Sequence, residues 1–296
     1  MWVETDGGHS TCRPMQGSSG LEAGCGLKLW VETEKKKNIG VSVRKNRTRL
    51  VAIDLDGTLL NEEKKIDPEA VKHIEDFLNK GIRVVVATGR DPHSATSLTY
   101  PGLWQTPVVA CNGSVLWDAK HQKLVKKWSI FPEAVRCCIE YFLEMEFATL
   151  LTEVKDDSSL AVRVASKEGE FGDIAYLYAT GEKSVIGEAR QEMEAKLGNT
   201  VTTTSSFHSS LEVGPVNVNK GSSLRALSSY LGILPEEVAC IGDAENDIGM
   251  FSFAGTRVAM GNAIPQVKSL AHHISPPHTD HGASDALKWI LSQSES

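Results

Sequence analysis

The stretch Leu50-Val51-Ala52-Ile53-Asp54-Leu55-Asp56-Gly57-Thr58-Leu59 decides the reading of this chain. Four apolar residues with no polar face read as a strand buried on both sides, as in parallel sheets. Asp54 and Asp56 are two apart, so extended backbone points their side chains to opposite sides. The chain must turn before both can serve one substrate, and Gly57 supplies that freedom. Two close carboxylates beside an anion repel one another, which calls for a divalent cation. An oxygen-only donor set suits Mg²⁺. Taken alone, the pair reads equally well as an acidic turn closing a buried strand.

Three more polar groups close apolar segments farther along. Thr88-Gly89-Arg90 ends the run Ile82–Ala87, where a hydroxyl and exposed N–H groups can donate to phosphate oxygens. The lesser alternative for Thr88 is to cap a helix, and Arg90 either meets substrate or pairs at a domain edge. Gly242-Asp243-Ala244-Glu245-Asn246-Asp247 follows the strand-like Val238–Ile241. The spacing of four puts Asp243 and Asp247 on one face of a helix starting there. Asp243 then binds the cation or caps that helix, with Asp247 in support. Lys220, before Gly221 and a serine-rich helix start, offers a compact charge for phosphate and an attacking carboxylate. Open α/β sheets bind ligands beyond the carboxyl ends of their strands, and these four groups are placed to converge there. The chemistry they support is phosphoryl transfer. Asp54 is the nucleophile, Asp56 the acid and base, and Lys220, Thr88 and backbone amides stabilise charge.

Around these groups, short apolar strands alternate with helices, which predicts a doubly wound, mostly parallel, Rossmann-like sheet. A helix is expected from Pro68 to Gly81 with Val71, Ile74, Phe77 and Leu78 on its inner face. A final helix is expected near 284–291. Residues 116–213 read as an inserted α+β module, leaving 50–115 and 214–296 as the catalytic core. Gly113 and Gly214–Pro215 are expected at the two connectors, and the insert is expected to cover the site. Residues 1–49 carry +4 against −11 for the remainder and read as a weakly ordered basic extension, with organelle targeting disfavoured.

The chain has 296 residues, 41% hydrophobic and 23% charged, with 31 Lys and Arg against 38 Asp and Glu. A net charge of −7 argues against general nucleic-acid binding, and no apolar run is long enough for a membrane helix. Six cysteines without a Cys-x-x-Cys pair read as buried thiols of a reducing compartment, so a cytoplasmic protein is expected. Oligomeric state is not legible in the chain.

The motifs DLDGTLL at 54–60, TGR at 88–90, Lys220 and GDAENDIGM at 242–250 resemble the haloacid-dehalogenase-like hydrolase superfamily. AMGNA at 259–263 narrows the resemblance to Cof-like phosphatases of subfamily IIB, whose α+β cap lies between the second and third motifs. The resemblance implies an Mg²⁺-dependent phosphatase with an aspartyl-phosphate intermediate. It makes Asp54 nucleophile and metal ligand, and Asp56 the acid/base that lends the metal its backbone carbonyl. It makes Asp243 a direct ligand with Asp247 supporting it, and Thr88 and Lys220 phosphate contacts. Asn112 resembles the family's substrate-side asparagine, and Asn246 reaches toward the phosphate. The implied substrate is a small sugar phosphate or related phosphorylated metabolite; His208, Ser209, Ser210 and Arg163 are candidate selecting groups, and His208 reads more readily as a strand-edge surface residue. A phosphomutase resembling phosphomannomutases is the first alternative, and a non-catalytic interaction protein on the same scaffold the second. Four histidines between 272 and 281 depart from the family's usual acidic, glycine-rich ending; a second metal site or a polar rim loop would account for them.

Overall fold

The computed structural model describes residues 48–166, 171–206 and 209–295. The expected basic extension lies almost wholly outside them, as does His208.

Strand β1 (Leu50–Ile53) is buried throughout, as its unbroken apolar run requires. Helix α1 (Pro68–Asn79) opens with proline at its first turn, and Asp67 caps it by accepting from Glu69 N–H at 2.9 Å. Its buried positions are Ala70, Ile74 and Phe77, whereas Val71 and Leu78 are only half-buried. The inner face is therefore rotated slightly from the expected one. Strand β2 (Arg83–Val86) follows, then α2 (Pro92–Ser97), β3 (Val108–Ala110), β4 (Val115–Asp118) and β5 (Lys123–Lys127).

The insert comprises α3 (Pro132–Glu144), β6 (Ala148–Val154), β7 (Leu160–Val164), β8 (Asp173–Thr180), α4 (Lys183–Leu197), β9 (Val201–Thr204) and β10 (Ser210–Pro215). Its strands form one antiparallel sheet in the order β7-β6-β8-β10-β9. Phe142, Leu151, Leu177, Met193 and Leu211 belong to a hydrophobic core of its own. The chain then adds α5 (Lys220–Leu231), β11 (Val238–Gly242), α6 (Ile248–Phe253), β12 (Thr256–Ala259), α7 (Pro265–Leu270), β13 (His273–Ile274) and α8 (Gly282–Glu295).

The structure divides into Trp128–Asn217 and the residues on either side of it. This moves the expected boundary. β4 and β5, assigned by the sequence to the insert, continue antiparallel from β3 in the order β3-β4-β5. Gly113 lies in the tight turn between β3 and β4 with φ +100°, and Gly214 and Pro215 pair with β9, so none of them is a connector.

The larger unit carries a parallel sheet in the order β13-β12-β11-β1-β2. β3 is joined to it by the bridge Ala87–Val109. From β1 the chain winds outward through β2, then returns to β11 on the other side of β1. The direction of winding thus reverses between β1 and β11, where such sheets leave a crevice at the strands' carboxyl ends. Asp54 follows the last residue of β1, and Asp243 that of β11. The fold class is the doubly wound, mostly parallel α/β core with an α+β insert that the alternation implied.

Candidate active site

The floor of the crevice is an ion triad. Lys220 Nζ donates to Asp54 Oδ1 at 2.6 Å and to Asp247 Oδ1 at 2.7 Å. Lys220 and Asp247 are wholly buried, and Asp54 is 5% exposed. Lys220 begins α5, whose first turn is secured by a capping box between Asn219 and Ser222. A lysine at a helix start is ordinarily solvent-facing; here the turn aims it inward. Burial alone would discharge it, but Asp247 and Asp54 outweigh that and hold its pKa above the ordinary value. Burial pushes Asp54 upward, Lys220 opposes this, and Asp247 and Asp243 add repulsion; the net direction is up.

The loop after β11 differs from the expected helix. Asp243 precedes a 3₁₀ turn, Glu245–Asp247, and α6 starts only at Ile248. Asp243 therefore neither caps that helix nor shares a helical face with Asp247. Instead the Asp247 carboxylate folds back, with Oδ2 accepting from Asp243 N–H at 2.9 Å and Ala244 N–H at 3.0 Å. Asp243 remains partly exposed, and burial followed by Asp247 repulsion raises its pKa to about 7. Oxygens of Asp54, Asp243 and Asp247 lie within 4.8 Å of one another. These donors are all hard oxygens, and Lys220 forms ion pairs with Asp54 and Asp247. A divalent cation beside Asp243 would remove a repulsion that the protein's own charges leave standing, so the residues fit Mg²⁺.

The rim is organised differently. Arg90 binds Asp56 with two N–H groups, Nε to Oδ2 at 2.6 Å and a terminal nitrogen to Oδ1 at 2.8 Å. Lys64 adds a third bond to Oδ1 at 2.8 Å. Burial raises the Asp56 pKa, but the bonds from Arg90 and Lys64 outweigh it and the net direction is down. The chain leaves the strand and turns after Asp54 as expected, with Gly57, just beyond Asp56, at φ +78°. A Cβ there would come within 2.5 Å of Asp243 Oδ2, so only glycine fits.

Thr88 is buried at the end of β2, where its Oγ1 accepts from Arg90 N–H at 3.1 Å. It does not cap α2; Asp91 does, accepting from His93 and Ser94 N–H at 3.0 Å each. Gly89 occupies the bend between them. Asn112, at φ 50° and ψ 30°, is held by Asn246 Nδ2 at 3.0 Å, and both side chains are buried. Cys111 and Asn112 have positive φ and lead directly into Gly113. Thr88 and Asn112 are themselves adjacent through Asn112 N–H donating to Thr88 carbonyl at 3.0 Å.

Two contributors escaped sequence reasoning. Thr58 Oγ1 donates to Asp243 Oδ1 at 2.9 Å, and Asn262 Nδ2 donates to Asp243 Oδ2 at 3.0 Å. Thr58 lies within DLDGTLL and Asn262 within AMGNA, but neither motif marks its partner across the fold. Within the insert, Arg163 binds Glu153 at 3.0 Å and lies over the Phe171 ring, while Ser210 Oγ donates to Glu212 at 3.2 Å. The four histidines disperse. His272 meets Arg257, His273 stacks on Trp289 and meets Asp285, His281 pairs with Asp67, and His278 N–H donates to Asn262.

Comparison with known proteins bears on this geometry. Residues 51–174 and 165–287 match the family model for haloacid dehalogenase-like hydrolases. The chain belongs to that family. It is 28% identical over 255 residues to the 5-amino-6-(5-phospho-D-ribitylamino)uracil phosphatase YcsE of Bacillus subtilis, covering 82% of this chain and 96% of the relative. It is 29% identical over 239 residues to the HMP-PP phosphatase of Serratia proteamaculans, covering 75% and 87%. A haloacid dehalogenase-like hydrolase structure from Bacteroides thetaiotaomicron superposes with a TM-score of 0.70 at 23% identity, covering 82% of this chain and all of the other. One from B. subtilis gives 0.72 at 23% identity, covering 81% and 99%. These structures share the fold. Among the described residues no helix is long and apolar enough to cross a membrane.

Proposed function

We propose that this family member is an Mg²⁺-dependent phosphatase of small phosphorylated metabolites, working through an aspartyl phosphate. The observation that carries the reading is the buried Lys220 bridging Asp54 and Asp247, with Asp243 within ligand distance of both carboxylates. Lys220 occupies Asp54 Oδ1, which leaves Oδ2 to attack phosphorus in line with the leaving oxygen. The new O–P bond forms as the ester O–P bond breaks; Asp56, held ionised at rest by Arg90 and Lys64, leaves them, takes a proton from solvent and gives it to the departing alkoxide. Asp56 then takes a proton from water, whose oxygen attacks the same phosphorus and releases Asp54. Lys220 and the Thr88 hydroxyl balance charge on the equatorial oxygens, and Asn112 and Asn246 border the phosphate. Asp54 and Asp243, with the Asp56 carbonyl, would hold Mg²⁺; Asp247 is wholly buried, with two backbone N–H groups on Oδ2 and the Lys220 ammonium on Oδ1, so it serves by ordering the loop. When bound, the ion supplies positive charge to the phosphoryl oxygens.

The named substrates of the relatives, a ribitylaminouracil phosphate and HMP-PP, favour a small phosphorylated metabolite, and sugar phosphates belong to the same class. The residues flanking Trp128–Asn217 form the hydrolase core, and the insert is the family's α+β cap. A cytoplasmic location suits such substrates.

The test is phosphate release from a panel of these esters, with Mg²⁺ or with EDTA, for wild type and Asp54→Asn. Release should need the metal and fall by at least about 10³-fold in the variant. Release equally strong in Asp54→Asn would overturn the nucleophile assignment, and isomer formation without phosphate release would redirect it to a mutase.

A further inference from the structure

Asp243 is held on both carboxylate oxygens by neutral donors from two different loops. Thr58 Oγ1 reaches Oδ1 at 2.9 Å from the turn after β1, and Asn262 Nδ2 reaches Oδ2 at 3.0 Å from the loop after β12. The same Asn262 amide donates to the Gly57 carbonyl at 2.9 Å, while its Oδ1 accepts from His278 N–H at 3.0 Å. One side chain thus ties together the β1 turn, the Asp243 carboxylate and the segment after β13. Thr58 is 1% exposed, so its hydroxyl has been withdrawn from water in order to make its bond.

This arrangement does something specific to Asp243. One donor on each oxygen opposes rotation of the carboxylate about its terminal torsion, which is otherwise broad. Each oxygen keeps a second lone pair, so neither bond prevents ligation. Both donors are uncharged, so they orient the group without cancelling the negative charge that a cation needs. Lys220, by contrast, engages the other two carboxylates of the cluster. Gly57 has φ +78°, and a side chain there would meet Asp243 Oδ2 at 2.5 Å, so glycine is what lets the turn pass beside the carboxylate.

Resting on the Mg²⁺ reading above, we infer that Thr58 and Asn262 are positioning residues that set Asp243 as a metal ligand. The aim is orientation, and the loss on removing it falls on metal affinity. Partners that orient metal ligands typically contribute about 10–100-fold to affinity.

The experiment titrates the full-length protein with Mn²⁺ alone, reading bound metal by electron paramagnetic resonance with no substrate present. Thr58→Val keeps the volume and removes the hydroxyl, Thr58→Ser keeps the hydroxyl, and Asn262→Ala removes the amide. Thr58→Val and Asn262→Ala should each weaken Mn²⁺ binding by about 10-fold or more, with Thr58→Ser within about 3-fold of wild type. Denaturant melts in EDTA identify any variant that has failed to fold. Asn262, being exposed, keeps the test decisive should the buried Thr58→Val misfold. Unchanged Mn²⁺ affinity in folded Asn262→Ala would overturn the inference while leaving the metal reading intact. Wild type that binds no Mn²⁺ would overturn both.

Discussion

Asp54 and Asp56 are the same residue type two positions apart, yet the floor and rim of the crevice treat them oppositely. On the floor, Asp54 is pushed up by burial and shares one fully buried lysine with Asp247. On the rim, Asp56 is pulled down by an arginine fork and the half-exposed Lys64. The floor is rigid and committed to charge balance, because separating any member leaves an uncompensated ion out of water. The rim is held by partly solvated ion pairs that a proton-transfer group can leave and rejoin at modest cost. Environment, more than residue type, sets the two carboxyl groups apart.

Breaking the floor should have the largest effect. Lys220→Met leaves two buried carboxylates facing each other, and denaturant melts should show a loss of about 3–5 kcal/mol. Phosphate release should fall by at least about 10²–10³-fold in whatever fraction stays folded. A variant as stable as wild type would mean that the triad is not a buried ionic unit.

Arg90→Ala sharpens the rim side. Freed of its fork, Asp56 loses aim, and turnover should drop by about 10–100-fold on a sugar phosphate. On an aryl phosphate, whose leaving oxygen needs little protonation, the drop should be visibly smaller. Equal drops on both esters would show that Arg90 serves the phosphate and not the acid.

The opposite pKa directions can also be separated by pH in metal-free protein. Asp243 titrates near 7 when folded, against an ordinary 3.8, so the folded state binds more protons between those values. Its contribution is fully present below 3.8 and is lost as pH rises through 7. The melting temperature should therefore fall between about pH 4 and about pH 7 and level off above, by roughly 2–4 °C per kcal/mol lost, and Mg²⁺ should restore it. Asp56 runs the other way, stabilising above 3.8 and losing that only as pH falls through its lower folded value. A melting temperature flat from about pH 4 to about pH 7 would remove the strained carboxylate from the site.

The smallest effect belongs to Lys64→Ala. Its side chain is 48% exposed and Arg90 already holds Asp56, so turnover should stay within about 3-fold of wild type.

Sequence carried far where one strand's end carried one polar group. Asp54, Thr88 and Asp243 each follow an apolar run, and parallel pairing alone brings the ends of β1, β2 and β11 to one side. Spacing misled where the local backbone was not regular. Asp243 and Asp247 are four apart, but a 3₁₀ turn intervenes and the later carboxylate caps the earlier amides. Partners distant along the chain were invisible: Asn262 meets Gly57 across 205 positions, and nothing local marks either for the other. The sequence places residues 116–127 in the insert because a short hairpin looks the same in either unit; only the pairing of β4 with β3 decides the matter.

The reversal of winding at β1 also has a consequence for synthesis of the chain. Asp54 leaves the ribosome 166 residues before Lys220, an interval of about 8–33 s at ordinary elongation rates. Throughout it, β1 can pair with β2 but has no β11 on its other side, leaving an apolar strand edge open to any strand that passes. The insert, with its own core, is completed inside this interval and can fold before the ion triad exists. The nascent protein is therefore most vulnerable to mispairing just before its active site becomes possible.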